Sequence, residues 1–147
     1  ADNASIRTYY ALVKVAANVN SAERNASITV SSKDGKLSAK HSLSQKGATL
    51  SVTSNGKEVN DGDIIDIQDT ETSLNIKVES SVDGITISSD KSWAEVTTDD
   101  EKSYTIKVAG NQTPDDRSAK ISIKAKNSDL AMSFTLKQAG GTLSIRP

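Results

Sequence analysis

The stretch that decides the fold runs from Tyr104 to Gln138 and reads YTIKVAGNQTPDDRSAKISIKAKNSDLAMSFTLKQ. It contains three segments in which apolar and polar residues alternate, and this period of two turns one face of a strand inward and the other outward. Turn-forming residues at 114–116 and 127–129 separate the segments. The pattern therefore predicts three consecutive strands whose apolar side chains point into one core, with the inward residues Ile106, Val108, Ile121, Ile123, Phe134 and Leu136.

The same stretch occurs earlier in the chain. Leu12–Val52, the first copy, aligns without a gap with Thr105–Ile145, the second copy, at the offset of 93 residues that separates Arg24 from Arg117. Roughly a third of about forty positions are identical, which indicates a repeat rather than a shared strand composition. A period near ninety residues is typical of tandem β-sandwich domains, which have about 100 residues each.

The offset also divides the chain. Ala1 corresponds to Ala94, so the first copy has no counterpart of the residues that precede this position in the second. We therefore predict an all-β chain in three parts: residues 1–47 as the C-terminal half of a module, 48–140 as a complete module, and 141–147 as the start of a further strand or module. Strands are expected at roughly 10–17, 26–32 and 37–45 in the first part.

Dipeptides with glycine mark the turns of the complete module. Asn55-Gly56 predicts a two-residue type I′ hairpin turn, because both central residues of that turn need a positive φ. Asp61-Gly62 and Asp83-Gly84 predict further turns. Between them, Leu74, Ile76 and Val78 alternate with polar residues as in a half-buried strand.

Composition excludes several classes of protein. The net charge is −1 with acidic and basic residues interspersed, so the chain has no basic field for nucleic acid. No apolar run approaches the roughly 18 residues that span a membrane as a helix. Without cysteine there are no disulfides and no thiolate metal sites. Aromatic residues make up only 3% of the chain, which suits thin strands better than a large enzyme cleft.

The order of motifs in the second copy resembles the BACON family, the Bacteroidetes-associated domains to which carbohydrate binding is ascribed. The resemblance rests on SWAEV, YTIKVAGN, DDRSAKISI and FTLKQAG, with the motif residues Trp93, Asn111, Arg117, Gln138 and Gly140. The first copy repeats the last four as Asn18, Arg24, Gln45 and Gly47. The resemblance implies an immunoglobulin-like β-sandwich in an exported protein of a gut-type bacterium or an associated phage.

Four aromatic residues are candidates for a sugar-stacking platform: Trp93, Tyr9, Tyr10 and Tyr104. The alternative for Trp93 is a place in the core or at its edge, where tryptophan is usually found. Tyr9 and Tyr10 are adjacent and would point to opposite faces of a strand, so one is expected to be exposed and able to stack. The alternative is that such a residue only shields a sheet edge.

The polar motif residues have two interpretations. Asn111 with Arg117, and Asn18 with Arg24, flank the same turn and could bind a ligand. The structural interpretation is favoured, because asparagine bonds turn backbone and an arginine stem covers apolar surface. Gln45 and Gln138 are similarly expected to bond a neighbouring strand.

Neither metal binding nor catalysis is indicated. The aspartates of NDGDIIDIQD do not match an EF-hand loop, and His41 is the only histidine, aligned with Phe134. A Ser-His arrangement or a zinc cluster would need partners that the chain lacks. We therefore predict no enzyme activity, no metal and no cofactor.

Two functions remain. One is a structural or spacer module of an exported surface or virion protein; the other is a glycan-binding module for host or dietary polysaccharide or mucin. The low aromatic content favours the spacer. The unfinished first copy predicts that residues 1–47 are completed by strands of another subunit or protein, with Thr142–Arg146 as an extended strand available for the same exchange. The alternatives are a fragment of a longer array, or a permuted packing of 1–47 against 48–103.

Overall fold

The computed structural model describes residues 6–100 and 102–145. Within these residues there is no helix, and eleven strands form three sheets. No helix long and apolar enough to cross a membrane occurs among them. The strands are β1 (Arg24–Ser31), β2 (Ser38–Gln45), β3 (Leu50–Ser54), β4 (Lys57–Val59), β5 (Ile64–Ile67), β6 (Thr72–Ser80), β7 (Ile85–Ser89), β8 (Ala94–Thr98), β9 (Ser103–Val108), β10 (Arg117–Ala125) and β11 (Ala131–Gln138).

The nine strands from β3 to β11 form a β-sandwich. One sheet has the order β4-β3-β6-β9-β8 and the other the order β5-β11-β10-β7. All pairings are antiparallel except that of β5 with β11, which is parallel. The inward side chains of both sheets form one core, as the alternation predicted, and its largest fully buried apolar members include Ile76, Ile106, Ile121, Ile123, Phe134 and Leu136. The all-β sandwich is thus confirmed.

The turns of the sandwich follow the local sequence. Asn55 and Gly56 have φ values of 49° and 81° and connect β3 to β4, with Ser54 opposite Lys57. Both positive values fit the predicted type I′ turn. Gly62 and Gly84 also have positive φ, at the two Asp-Gly turns.

The strands β1 and β2 form a separate two-stranded hairpin, which we call the N-terminal hairpin. Its register pairs Arg24 with Gln45, just as β10 and β11 pair Arg117 with Gln138. The turn between its strands is closed by the bond from Ser32 N to Leu37 O at 2.8 Å. The corresponding bond in the sandwich joins Ala125 N to Leu130 O at 3.0 Å. The same local sequence therefore gives the same hairpin, with or without a sandwich around it.

Two predicted strands are absent. Residues 10–17 contain no strand and are exposed, which corrects the strand expected there. Their counterpart is β9, which lies between β6 and β8 in the sandwich. Among the described residues, no strand precedes β1 that could pair with residues 10–17. The backbone of this segment therefore has no partner strand with which to form hydrogen bonds. Residues 142–145 likewise contain no strand, with Leu143 and Ile145 exposed, and Arg146 lies outside the described residues.

The permuted packing of residues 1–47 on 48–103 is also not observed among the described residues. The N-terminal hairpin pairs with no other strand, and Val30 and Leu37 on it are exposed by 67% and 73%. A limit on reach explains this. In the permuted packing, the N-terminal hairpin would take the place of β10 and β11, and Gln45 would occupy the position of Gln138 at the end of β11. Leu50 packs beside Leu130 at the start of β11. These two ends of β11 are about 26 Å apart at strand spacing. The five residues from Gln45 to Leu50 span at most about 18 Å.

Candidate functional site

The indole of Trp93 is the centre of the candidate site. Trp93 immediately precedes β8, and its carbonyl accepts a hydrogen bond from Ala109 N at 2.8 Å. The side chain is half-buried and packs against the core. The Arg117 guanidinium carbon lies 4.3 Å from the ring centroid, within the range of a cation–π interaction. One face of the indole is therefore already covered by a cation of the protein itself.

The guanidinium of Arg117 is held by the strand next to it and by the segment after β9. Its Nε donates to Gln138 Oε1 at 2.7 Å, and its Nη2 donates to the carbonyls of Ala109 at 2.9 Å and Gly110 at 3.2 Å. Gln138 Nε2 donates to the same Ala109 carbonyl at 2.9 Å. The planar guanidinium is thereby fixed over Trp93 by bonds that a flexible surface side chain would not have.

Asn111 closes the turn that precedes β10. Its Nδ2 donates to the carbonyls of Asp115 at 2.8 Å and Ala139 at 3.0 Å, and its Oδ1 accepts from Thr113 N at 3.1 Å. The side chain is buried, with 3% of its surface exposed. Asn111 therefore ties the turn to the residues that follow β11, which supports the structural interpretation of this motif residue.

The same bonds recur 93 residues earlier. Arg24 Nε donates to Gln45 Oε1 at 2.7 Å, and both Arg24 Nη2 and Gln45 Nε2 donate to the Ala16 carbonyl. Asn18 Nδ2 donates to Ala22 O at 2.7 Å and to Lys46 O at 3.1 Å. Every one of these partners is the counterpart, at the constant offset, of a partner in the second copy. We call this set of bonds the Asn-Arg-Gln network.

The glycine of each Gln-x-Gly motif is required by the same contact. A Cβ on Gly140 would overlap the carbonyl oxygen of Pro114, and a Cβ on Gly47 would overlap that of Ser21. One residue further on, Gly141 N donates to Thr113 O at 2.7 Å and Ala48 N donates to Asn20 O at 2.8 Å. The chain that leaves each hairpin is thus fastened onto the preceding turn, and only glycine allows the approach.

The four predicted aromatics do not form one platform. Tyr104 is a correction: it is only 5% exposed, and its hydroxyl lies 3.5 Å from the Ile85 carbonyl, so its ring is not accessible for stacking. Trp93 and Tyr104 also lie at opposite ends of the β8–β9 ladder, in which Ala94 pairs with Val108 and Thr98 with Tyr104.

Tyr9 and Tyr10 are both exposed, by 82% and 94%, in a segment without strand structure. The expectation that they lie on opposite faces of a strand was therefore wrong, because the strand does not form. The segment leaves both rings on the surface, well separated in the chain from Trp93.

Two aspartates of the acidic segment accept hydrogen bonds from backbone amides. Asp61 Oδ1 accepts from Ser133 N at 2.9 Å, and Asp63 Oδ2 accepts from Asn60 N at 2.8 Å. Within residues 6–100 and 102–145, no three His, Asp or Glu side chains converge as metal ligands. Hydrogen bonds from the Ser32 hydroxyl and Lys36 N lower the pKa of Asp34, and those from Lys102 N and Ser103 N lower the pKa of Asp100. Both carboxylates lie in turns, and their pKa values are lowered by hydrogen bonds within those turns.

One set of contacts was not anticipated from the sequence. The turn before β1 touches the turn between β10 and β11. Ser21 N and Oγ donate to the two carboxylate oxygens of Asp129 at 2.7 and 3.0 Å, and Asp129 N donates to Asn20 Oδ1 at 3.2 Å. The hydroxyl of Ser128 donates to the Val19 carbonyl. These residues have ordinary turn composition, so no sequence pattern distinguishes them as a contact; we call them the turn–turn contact.

Comparison with known families agrees with the motif order. A family model named BACON, described as "Putative binding domain, N-terminal", matches residues 81–139. This range contains β7 to β11 together with Trp93, Arg117 and Gln138. The comparison with curated proteins found no match, and neither did the comparison with solved structures.

Proposed function

We propose, from the match of residues 81–139 to the BACON family model, that the chain is a non-catalytic spacer segment of an exported surface or virion protein. In this proposal residues 48–140 are one complete β-sandwich module, residues 1–47 are the C-terminal half of a second, and 141–147 begin a third. The function is to hold other parts of the protein at a distance from the envelope or the particle.

The observation that carries the proposal is the duplicated fastening of chain to turn. The bond from Ala48 N to Asn20 O recurs as that from Gly141 N to Thr113 O. Gly47 and Gly140 allow the same close approach in both places. A row of modules keeps a fixed end-to-end distance only if the link at the end of each module has a defined geometry. A flexible link would leave that distance variable.

The direction of the chain through the sandwich also supports a spacer. Ala48 packs with Ala125 and Leu130 at one end of β11, while Gly140 contacts Pro114 at the other end. The chain therefore enters and leaves the sandwich at opposite ends, about 26 Å apart at strand spacing. Modules joined in this way extend end to end, and each adds its full length.

Glycan binding is the second candidate, favoured by the half-exposed Trp93 and by the description of the BACON family as a binding domain. Its weakness is geometric. The guanidinium of Arg117 covers one indole face, Tyr104 is buried, and the exposed Tyr9 and Tyr10 are far from Trp93 in the chain. A sugar would have only the part of one ring that Arg117 and the core leave exposed, whereas ligand sites are usually concave and bury most of the ligand.

Titration calorimetry with mucin glycans and plant polysaccharides separates the two functions. The spacer predicts no saturable heat with the native chain. Saturable binding that is lost in Trp93→Ala and kept in Tyr10→Ala, with an unchanged thermal transition in both variants, would establish the glycan function instead. Tyr10 is the matched control because it is an aromatic residue that is 94% exposed and far from Trp93 in the chain.

A further inference from the structure

We propose that the outer edge of β7 is a self-association surface, at which two copies of the chain pair antiparallel about a two-fold axis at Ile87. The partner is a second copy of the same sandwich, and the two four-stranded sheets join into one continuous sheet. The inference goes beyond the proposed function and does not rest on it, because it uses only strands and turns of the sandwich.

The edge of β7 is open although both sheets of the sandwich are formed. β7 is the last strand of its sheet, with β10 on one side and no strand among the described residues on the other. The Gly84 carbonyl accepts from Lys126 N at 3.0 Å, and Asp90 N donates to the Lys120 carbonyl at 3.1 Å. Positions that bond a neighbouring strand alternate with positions that do not. The N–H and C=O groups of the odd-numbered residues therefore point away from β10, and these residues are Ile85, Ile87 and Ser89.

Among the edge strands of the sandwich, β7 is the one without a charged residue. The other three contain at least one each: β4 has Lys57 and Glu58, β5 has Asp66, and β8 has Glu95. The sequence of β7 is ITISS. Charges on an edge strand hinder its pairing with a strand of another chain. The sandwich is therefore protected against strand addition at three edges and unprotected at β7.

The sequence of β7 fits an antiparallel copy of itself. With Ile87 of both copies at the centre, Ile85 of one copy lies opposite Ser89 of the other. All three positions have their backbone groups on the open edge, so each N–H faces a C=O of the second copy. On the exposed face, Thr86 would lie opposite Ser88 of the second copy, and such pairs of hydroxyl residues stabilise neighbouring strands.

Charges beyond the two ends of β7 select the antiparallel direction. Asp83 lies two residues before the strand and Lys91 two residues after it, and both are exposed. The two ion pairs among the described residues involve other side chains. In the two-fold register, Asp83 of each copy is brought opposite Lys91 of the other, so the dimer has two pairs of opposite charge. A parallel pairing would instead bring the two Asp83 carboxylates together, which is unfavourable.

The side of the sandwich next to β7 has room for a second copy. Near the start of β7 a cleft of about 740 Å³ lies between the sheets, and its lining includes Val78, Ile85, Ile87 and Tyr104. After the end of β7 the chain crosses to the other sheet through residues 90–93. Antiparallel pairing brings this connection of each copy beside the cleft of the other, so both clefts are covered. The Ile85 carbonyl lies 3.5 Å from the Tyr104 hydroxyl and keeps a second lone pair for the partner.

The affinity expected from this edge is low. A strand pair of five residues is a small contact, in the class below roughly 1,200 Å² that weak and transient complexes occupy. We therefore expect monomers at the micromolar concentrations of unfolding experiments and reversible dimers as the concentration approaches the millimolar range.

Sedimentation of the 147-residue chain over this concentration range tests the proposal. We expect the average mass to rise from 15.5 kDa toward twice that value. Asp83→Lys and Lys91→Asp should each weaken the dimer about tenfold, because both symmetric pairs then oppose like charges. Combining the two substitutions should restore it. Asp66→Lys, the control, makes the same change of charge on the edge strand β5 and should leave the association constant unchanged.

Disulfide trapping tests the register. The chain has no cysteine, so Thr86→Cys in one sample and Ser88→Cys in another each introduce a single thiol. Opposite residues at non-hydrogen-bonded positions have Cα atoms about 4.5 Å apart, within the reach of a disulfide. With oxidised glutathione, a mixture of the two variants should cross-link at least about tenfold faster than either alone, because identical positions are only diagonal neighbours.

Three outcomes would overturn the proposal. One is a mass of 15.5 kDa at every concentration. Another is a dimer that Asp83→Lys leaves intact, and the third is a mixture of Thr86→Cys and Ser88→Cys that cross-links no faster than either variant alone. In the last two cases the copies would meet at another surface or in another register.

Discussion

Among single residues, Gln138 shows how this fold buries a polar group. Its side chain is fully buried, and both amide atoms are bonded, the oxygen to Arg117 and the nitrogen to the Ala109 carbonyl. A buried amide is costly unless it is bonded in this way. Within the part of the chain that the structure describes, no buried side-chain nitrogen or oxygen lacks a partner.

Substituting Gln138 measures how much the Asn-Arg-Gln network contributes to the stability of the sandwich. Gln138→Leu keeps the apolar stem but leaves the Arg117 guanidinium without its acceptor, so we expect unfolding of the sandwich to become easier by about 1–3 kcal/mol. Gln45→Leu removes the same bonds at a more exposed site and should leave the sandwich transition unchanged. Urea unfolding of the two variants gives the comparison. An equal decrease in the free energy of unfolding for both variants would show that the burial of Gln138 does not determine how much its bonds stabilise the sandwich.

The core shows the same contrast between copies. Phe134 is 1% exposed in the sandwich, whereas its counterpart His41 is exposed on β2. Phe134→Ala should cost about 3–5 kcal/mol, because it leaves a large cavity among well-packed neighbours. His41→Ala should change stability by less than about 0.5 kcal/mol. Denaturant titration measures both, and a loss below about 1 kcal/mol for Phe134→Ala would contradict the packing described above.

Among the elements, the N-terminal hairpin meets the sandwich at the turn–turn contact, which is made of hydrogen bonds. The turn–turn contact joins Asn20 and Ser21 to Asp129 by hydrogen bonds at the surface. An isolated two-stranded hairpin is marginally stable in water, so this contact governs where the hairpin sits rather than whether the sandwich folds. The same contact cannot form unchanged at the C-terminal end of the sandwich. The counterpart of Ser21 there is Pro114, which has no N–H to donate.

Removing the carboxylate of Asp129 tests this division of roles. Asp129→Ala should speed amide exchange at Ser21 while lowering the stability of the sandwich by less than about 1 kcal/mol, as for exposed polar contacts. Asp115→Ala, at the opposite end of the sandwich, is the control and should leave Ser21 unchanged. Exchange measured by NMR reports both sites. An unchanged Ser21 amide in Asp129→Ala would mean that the contact does not form in solution.

At the scale of the whole molecule, the sandwich is the unit expected to fold alone. Its core contains residues of β3 to β11 only, and Ala48 completes a smaller cluster with Ala125 and Leu130. Because Ala48 is itself buried, a truncation that isolates the sandwich must keep Ala48.

Deleting residues 1–47 should therefore leave a monomer with the urea midpoint of the full chain. The physical reason is that residues 6–47, the described portion of the deleted part, share no strand pairing with the sandwich. Sedimentation and urea unfolding of residues 48–147 provide the measurement. A loss above about 2 kcal/mol, large for a surface deletion, would show that the hairpin supports the sandwich.

Local pattern in the sequence determined the inward faces and the turns of the sandwich. Alternation assigned Ile106, Ile121 and Phe134 to the core, and Asn55-Gly56 fixed a turn, because these properties depend on side chains and φ angles within a few residues. The repeat of Asn, Arg, Gln and Gly at one offset likewise placed the same bonds in both copies.

Only the tertiary structure decided which segments find neighbours. Residues 10–17 have the sequence of a strand but form none, because a strand needs a ladder that the described chain does not provide there. Trp93 came to lie beneath the guanidinium of Arg117, a residue of a different strand. Such contacts depend on how distant strands are brought together, and no local pattern encodes that arrangement.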